Sequence, residues 1–179
     1  RLDGSEAMLA RQSQRHDTQT WDLQQGLPPW SFRPQVLASS FCLHWLDAPS
    51  QRLQEWFQAL APSGWLAVAL PVNGSFHQWH QAAARSGQIC TALPLPTGDK
   101  LLEGIPASAF RHNSIHTYTE SANSVAALLR PMRRIGAGST PLTPLGVTAW
   151  RQLSRSWPER NADGLVRLTW MVQILLLQR

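Results

Sequence analysis

Lysine, tyrosine and cysteine are scarce in this chain, and each shortage narrows the reading. Lys100 is the single lysine, so the excess of Lys+Arg (16) over Asp+Glu (11), a formal net charge of +5, is carried by arginine. No long basic tract with interleaved aromatics occurs, which argues against a nucleic-acid binder and leaves phosphate ligands or an acidic protein as partners, beside the plainer reading of a soluble domain with a basic surface. Cys42 and Cys90 stand far apart and form no metal-type pair, so both read as free thiols of a reducing, cytoplasmic compartment. No apolar run reaches membrane-spanning length, and no leader-like segment opens the sequence. The most apolar stretch, "MVQILLLQR" at the C-terminal end, is short and reads as a buried strand. Charged residues are only 15% of the 179, against 43% hydrophobic, which fits a globular chain and argues against disorder. The aromatic supply is instead nine Trp against one Tyr, and reads as packing material. The expected organisation is a single domain, 1–179, long enough for a substantial core.

Patterning supplies the elements. Residues 4–15 have helix character, with Ser5 as a cap and Glu6 at the positive end of the helix dipole. A short strand candidate ends at Asp22 and runs into a Gly/Pro loop. Residues 34–47 ("PQVLASSFCLHWLD") read as a central strand that exits into small and polar residues. The clearest helix is 48–65, where Leu53, Trp56, Phe57 and Leu60 recur at helical spacing and Ser50 is a possible cap. "WLAVALP" (65–71) is a buried strand, and strand, helix, strand with short turns is the pattern of a parallel α/β sheet. Further helices are expected at 74–87, at "DKLLEGI", at 121–139 with Pro131 inside it, and at 143–157. Strands are expected at 108–121 and 165–178.

Three places along this pattern could carry chemistry. Asp3, at the exit of a strand, can accept both hydroxyls of a ribose, although Asp before Gly-Ser is commonly a turn residue. Asp22 ends the next strand candidate, where a carboxylate could accept the exocyclic amine of adenine. Ser39 and Ser40 stand at the exit of the strand at 34–47, outside which ligands of open α/β sheets bind. His44 invites a general-base reading, against a loop histidine beside a core Trp. His77 and His80 are spaced for one helix face but lack a third ligand, so no metal site is read.

In this order, "RLDGSEAML", "WDLQQGLP", "VLASSFCLHWLD", "LQEWFQALAPSGWLAVALP" and "NGSFHQWHQA" resemble class I S-adenosylmethionine-dependent methyltransferases. "LLRPMRRIGAGSTPLT", "LTPLGVTAWRQLSRSWP" and "VRLTWMVQILLLQR" resemble the C-terminal region of the BioC family, the malonyl-acyl-carrier-protein O-methyltransferases of biotin synthesis. The resemblance implies an open, twisted, Rossmann-like α/β sheet, mostly parallel with an antiparallel last strand, and substrate-side insertions within 71–164. It implies that Asp3 holds the ribose of S-adenosylmethionine, Met8 lies against the adenine, and Asp22 with the Leu23 backbone reads the adenine edge. Ser39 and Ser40 would border the transferring methyl, and Phe41 and Trp45 the acceptor. Gly4 stands where a Leu is usual, and Ser40 where an Asn is common. The family's first strand and glycine-rich loop should precede Asp3 by roughly 30 residues, so the expectation is a chain truncated at its N-terminus.

The implied reaction transfers a methyl group to the free carboxylate of a malonyl group on an acyl carrier protein. A carboxylate is already ionised at neutral pH, so no catalytic acid or base is required and alignment carries the chemistry. Two alternatives stand beside it: methylation of another small acid or metabolite, and a binding module without catalysis. Arg133 and Arg134, beside "IGAG", are the candidates for steering the carboxylate or the acidic carrier, against a solvated helix face. Reversing both charges is expected to raise the KM for a carrier-linked malonyl substrate. Unchanged turnover of a carrier-bound malonyl thioester would refute that role.

Overall fold

The computed structural model describes residues 1–11, 17–134, 142–158 and 162–179, leaving out the side chains of Arg133 and Arg134. Strand β1 (Leu2–Asp3) pairs in parallel with β2 (Gln19–Thr20), the short helix α1 (Glu6–Leu9) lying between them in sequence. Ser5 caps α1 as expected, its Oγ accepting from Met8 N at 3.3 Å. The helix is one turn long, far shorter than 4–15, and residues 12–16 lie outside the described set.

The main sheet runs in the order β3 (Val36–Ser40), β4 (Trp65–Pro71), β7 (Val166–Gln178), β6 (Phe110–Ala122). β3 and β4 are parallel, with Val36 opposite Trp65 and Ser40 opposite Ala69. β7 runs against β4: Met171 accepts from Val72, whereas Arg179 pairs with Gly64 and accepts from Ser63. A mixed sheet with an antiparallel last strand is therefore observed. β3 corrects one expectation. It stands at one end of the strand order, not in its centre, and Val36 is 62% exposed. β6 is exposed along nearly its whole length and on both faces, so its alternating pattern forms a strand without burying one.

Packing divides the chain into two compact units, 1–70 with 98–114 and 174–179, and 71–97 with 115–173. In the first, helix α2 (Pro49–Ala59) buries Leu53, Trp56 and Phe57, the stripe its spacing predicts. Pro49 occupies its first turn, where a missing N–H costs nothing, and Ala48 takes the cap position, so Ser50 is no cap. Leu66, Val68 and Leu70 of β4 are buried, with Leu175 and Leu177 of β7. Helix α4 (Gly98–Leu101) buries Leu101, and Gln54 Nε2 donates to the Glu103 carbonyl at 2.6 Å.

In the second unit the expected helix at 74–87 begins late, because Asn73–Phe76 is a strand, β5. Phe76 adopts a left-handed backbone (φ 59°), from which helix α3 (His77–Ser86) starts, and Gly87 (φ 64°) closes it. α3 packs on helix α6 (Val147–Arg155). Helix α5 (Val125–Arg134) buries Val125, Leu128 and Leu129, keeps Pro131 inside it, and adds Met132 to the same cluster. Ile135 and "IGAG" lie outside the described residues. No helix among the described residues is long and apolar enough to cross a membrane.

Where β5 gives way to α3, side chains continue the ladder to β7. Ser75 Oγ donates to the Met171 carbonyl at 3.0 Å and accepts from Met171 N at 2.8 Å. Gln78, fully buried, donates to Thr169 Oγ1 at 2.8 Å and accepts from Thr169 N at 3.0 Å. Gly74 is required here: its φ is +97°, and a Cβ would strike Met171 Sδ. Replacing Gln78 by Leu keeps the volume but strands the Thr169 amide. The expected cost is about 1–3 kcal/mol, read as a lower urea midpoint with an unchanged slope; an unmoved midpoint would show the bonds to be dispensable.

Candidate functional site

Both aspartates divide their oxygens between local structure and open valence. Asp3 closes β1; its Oδ1 accepts from Ser5 N at 2.8 Å, and its other carboxylate oxygen has no hydrogen-bond partner. Asp22 behaves alike: Oδ1 caps the 3-10 turn Leu23–Gln25 through Gln24 N at 2.9 Å, and the second oxygen has no partner. The turn role and the ligand role are thus compatible in both residues. β2 stops at Thr20, two residues before the expected end. The next amide, Trp21 N, still donates to the Asp3 carbonyl at 3.0 Å, which sets Asp22 beside the exit of β1. Met8 and Leu23 are half-buried.

At the exit of β3, Ser39 Oγ is buried without a partner, while Ser40 is exposed. Phe41 then takes a left-handed backbone (φ 53°) with its amide donating to the Ala69 carbonyl at 2.8 Å. Such strain in a residue other than glycine persists only where its surroundings enforce it, and it concentrates at functional sites. The chain continues into the 3-10 turn Leu43–Trp45. His44 is held edge-on to Phe41 (centroids 6.2 Å) and tilted against Trp45 (5.1 Å).

One residue absent from the sequence reading joins these pieces. Gln24 Nε2 donates to the Trp45 carbonyl at 3.2 Å, and its Oε1 accepts from Asp47 N at 3.1 Å. Its own carbonyl accepts from Arg52 Nη2 at 2.5 Å, and Arg52 pairs with Glu55 at 2.6 Å. The turn after Asp22 is thereby fastened to the turn after β3 and to α2. Only the fold reveals this, because the partners lie 21 or more positions away in sequence.

Burial pushes the Cys42 thiol pKa up, and the negative charge of Asp3 adds to the effect. Both effects disfavour the thiolate of Cys42. His44 goes the other way: burial lowers its pKa from 6.5 to about 4, so the imidazole is uncharged at neutral pH and weak as a general base. Its Nδ1 is sealed from solvent and without a partner. Asp3, Met8, Asp22, Leu23, Ser39, Ser40, Phe41 and Trp45 all belong to the first unit. Arg133 and Arg134 close α5 in the second, and their side chains lie outside the described set.

No protein-family model matches the chain. Over its whole length it superposes on a protein from Bacillus halodurans named as a methyltransferase, with a TM-score of 0.58 at 10% identity, covering 99% of this chain and 80% of that one. The YcgJ protein of Bacillus subtilis gives a TM-score of 0.61 at 8% identity with the same coverages. The fold is that of the class I methyltransferases. In sequence the chain is similar to trans-aconitate 2-methyltransferase of Mycobacterium tuberculosis and its namesake from Mycobacterium bovis. Each is 37% identical over 75 residues, which is 40% of this chain and 27% of the relative. The aligned region thus spans about a quarter of the length of those curated relatives. None of these names belongs to the BioC family.

His44 makes a pH dependence testable. The unfolded chain takes up a proton near pH 6.5 and the folded chain only near 4, so this contribution to stability is full above 6.5 and declines as pH falls between them. The expected loss at the bottom of that window is about 2–3 kcal/mol, measured by urea unfolding against pH. His44→Gln should flatten the decline, and an equal decline in both proteins would contradict the burial assigned to His44.

Proposed function

We propose that this chain carries an S-adenosylmethionine-dependent methyltransferase activity directed at a free carboxylate of a small polycarboxylic acid. The observation that supports it most is the pairing of Asp3 and Asp22 at neighbouring strand exits, each with one carboxylate oxygen free. Such oxygens fit the hydroxyls of a ribose and the amine of an adenine. The class I methyltransferase fold and the partial similarity to proteins named trans-aconitate 2-methyltransferase support the same reading.

S-adenosylmethionine, when bound, supplies an electrophilic methyl group: a carboxylate oxygen forms the new C–O bond while the S–C pair returns to sulfur. The chain's part is binding and alignment. Asp3 would take the ribose, Asp22 and the Leu23 backbone the adenine edge, and Met8 one adenine face. Ser39, whose buried hydroxyl has no partner, would border the reacting end with Ser40. A cation and an anion become two neutral products, so a site that excludes water favours the less charged transition state. Phe41 and Trp45, aromatic and at the β3 exit, would provide that dry boundary. No proton has to be removed from an ionised carboxylate, which suits an imidazole with a pKa near 4.

The acceptor is the finer question. The curated relatives' names favour trans-aconitate, and the C-terminal resemblance favours a malonyl group on an acyl carrier protein. Methyl transfer to trans-aconitate, to malonyl carrier protein and to malonyl-coenzyme A, compared at equal concentration, separates them. Isothermal titration with S-adenosylhomocysteine tests the cofactor half: Asp3→Ala is expected to weaken binding by at least tenfold. Binding that survives intact, or a wild-type chain that does not bind, would overturn the assignment of Asp3.

A further inference from the structure

The mechanism above leaves His44 without a task, yet its surroundings define one. Its side chain is 9% exposed, directly follows the strained turn at the β3 exit, and is gripped by Phe41 and Trp45. Of its two ring nitrogens, Nδ1 is sealed and has no partner, whereas Nε2 is not sealed. A neutral imidazole carries one proton, and the two nitrogens compete for it. A buried N–H with no acceptor is costlier than a buried lone pair with no donor. The expected tautomer therefore carries its proton on Nε2, a neutral N–H donor.

We propose that His44 orients the methyl acceptor, its Nε2–H donating to the carboxylate oxygen that does not attack the methyl group. This rests on the carboxylate-methyltransferase reading and adds to it a residue that sets the acceptor's pose. A neutral donor suits a reaction in which charge disappears. An arginine or lysine at this point would form an ion pair with the ground-state carboxylate, and methyl transfer would have to give up that attraction. The hydrogen bond from a neutral imidazole weakens less. The non-attacking oxygen becomes the ester carbonyl, which still accepts from Nε2, so the donor is satisfied before and after transfer. No proton moves.

The two amide side chains distinguish this role from packing. The amide nitrogen of Gln reaches about as far as Nε2, and that of Asn about as far as Nδ1, while Phe fills the aromatic cradle with no donor at all. With trans-aconitate as acceptor, His44→Phe is expected to lower kcat/KM at least thirtyfold, His44→Asn similarly, and His44→Gln less than threefold. S-adenosylhomocysteine affinity, measured by titration calorimetry, should stay within twofold in all three, which also reports that they fold. Equal kinetics for Phe and wild type overturns the proposal, as does an equal loss in Gln and Phe. Any variant that loses S-adenosylhomocysteine binding assigns His44 to the frame of the cofactor site, against the acceptor role. A wild-type chain that binds S-adenosylhomocysteine but neither binds nor methylates trans-aconitate overturns the small-acid reading beneath it. A wild-type chain that does not bind S-adenosylhomocysteine overturns the methyltransferase reading itself.

Discussion

The candidate site depends on the amide of Gln24. Its two side-chain hydrogen bonds, to the Trp45 carbonyl and from the Asp47 amide, tie the loop that carries Asp22 to the turn that carries His44. The Arg52 guanidinium, braced by Glu55, seizes the Gln24 carbonyl and joins both to α2. Without that fastening, the parallel pair β1–β2 is two residues on each side, too little to hold Asp3 and Asp22 in a shared geometry. Local side-chain bonds then finish the work. Each aspartate spends one oxygen on its own turn and keeps the other.

The second unit solves a related problem with different residues. A chain passing from strand to helix must satisfy the backbone of the strand it leaves behind. Ser75 and Gln78 do so for Met171 and Thr169 of β7, and the edge-on pair Phe76 and Trp170 (4.5 Å) packs beside them. A buried glutamine with both ends satisfied fixes one register between α3 and the strand. An apolar residue of equal volume would leave the Thr169 amide stranded.

The chemistry proposed for the first unit makes sense of two titratable groups that burial keeps neutral. The reaction consumes a cation and an anion and requires no acid, base or metal. What helps it is alignment in a dry site lined by neutral groups. Cys42 and His44 are both held uncharged by burial, and Phe41 and Trp45 flank the imidazole. Groups that would be poor catalysts in a hydrolase are well matched to orientation.

Much of the element order was legible in the sequence, because it rests on periodicity. Leu53, Trp56 and Phe57 marked α2, and the unbroken apolar run 65–71 marked β4. Asp3 was legible as a strand-exit carboxylate and both aspartates as turn residues, since that depends on local chemistry, whereas β2 stops two residues short of Asp22. What the sequence could not decide was anything resting on long-range partners. It placed β3 in the centre of a sheet, although its other edge depends on which strands pair. It read 74–76 as helix, although Asn73–Phe76 is a strand whose Ser75 hydroxyl bonds the Met171 backbone, 96 positions away. It passed over Gln24, whose partners are distant in the chain, and it left His44 between base and packing residue. By itself the sequence determined local conformation and the types of group available. The tertiary structure decided which groups share a site and which nitrogen of His44 is sealed. Burial and hydrogen bonding between distant segments have no signature in the spacing of residues along one chain.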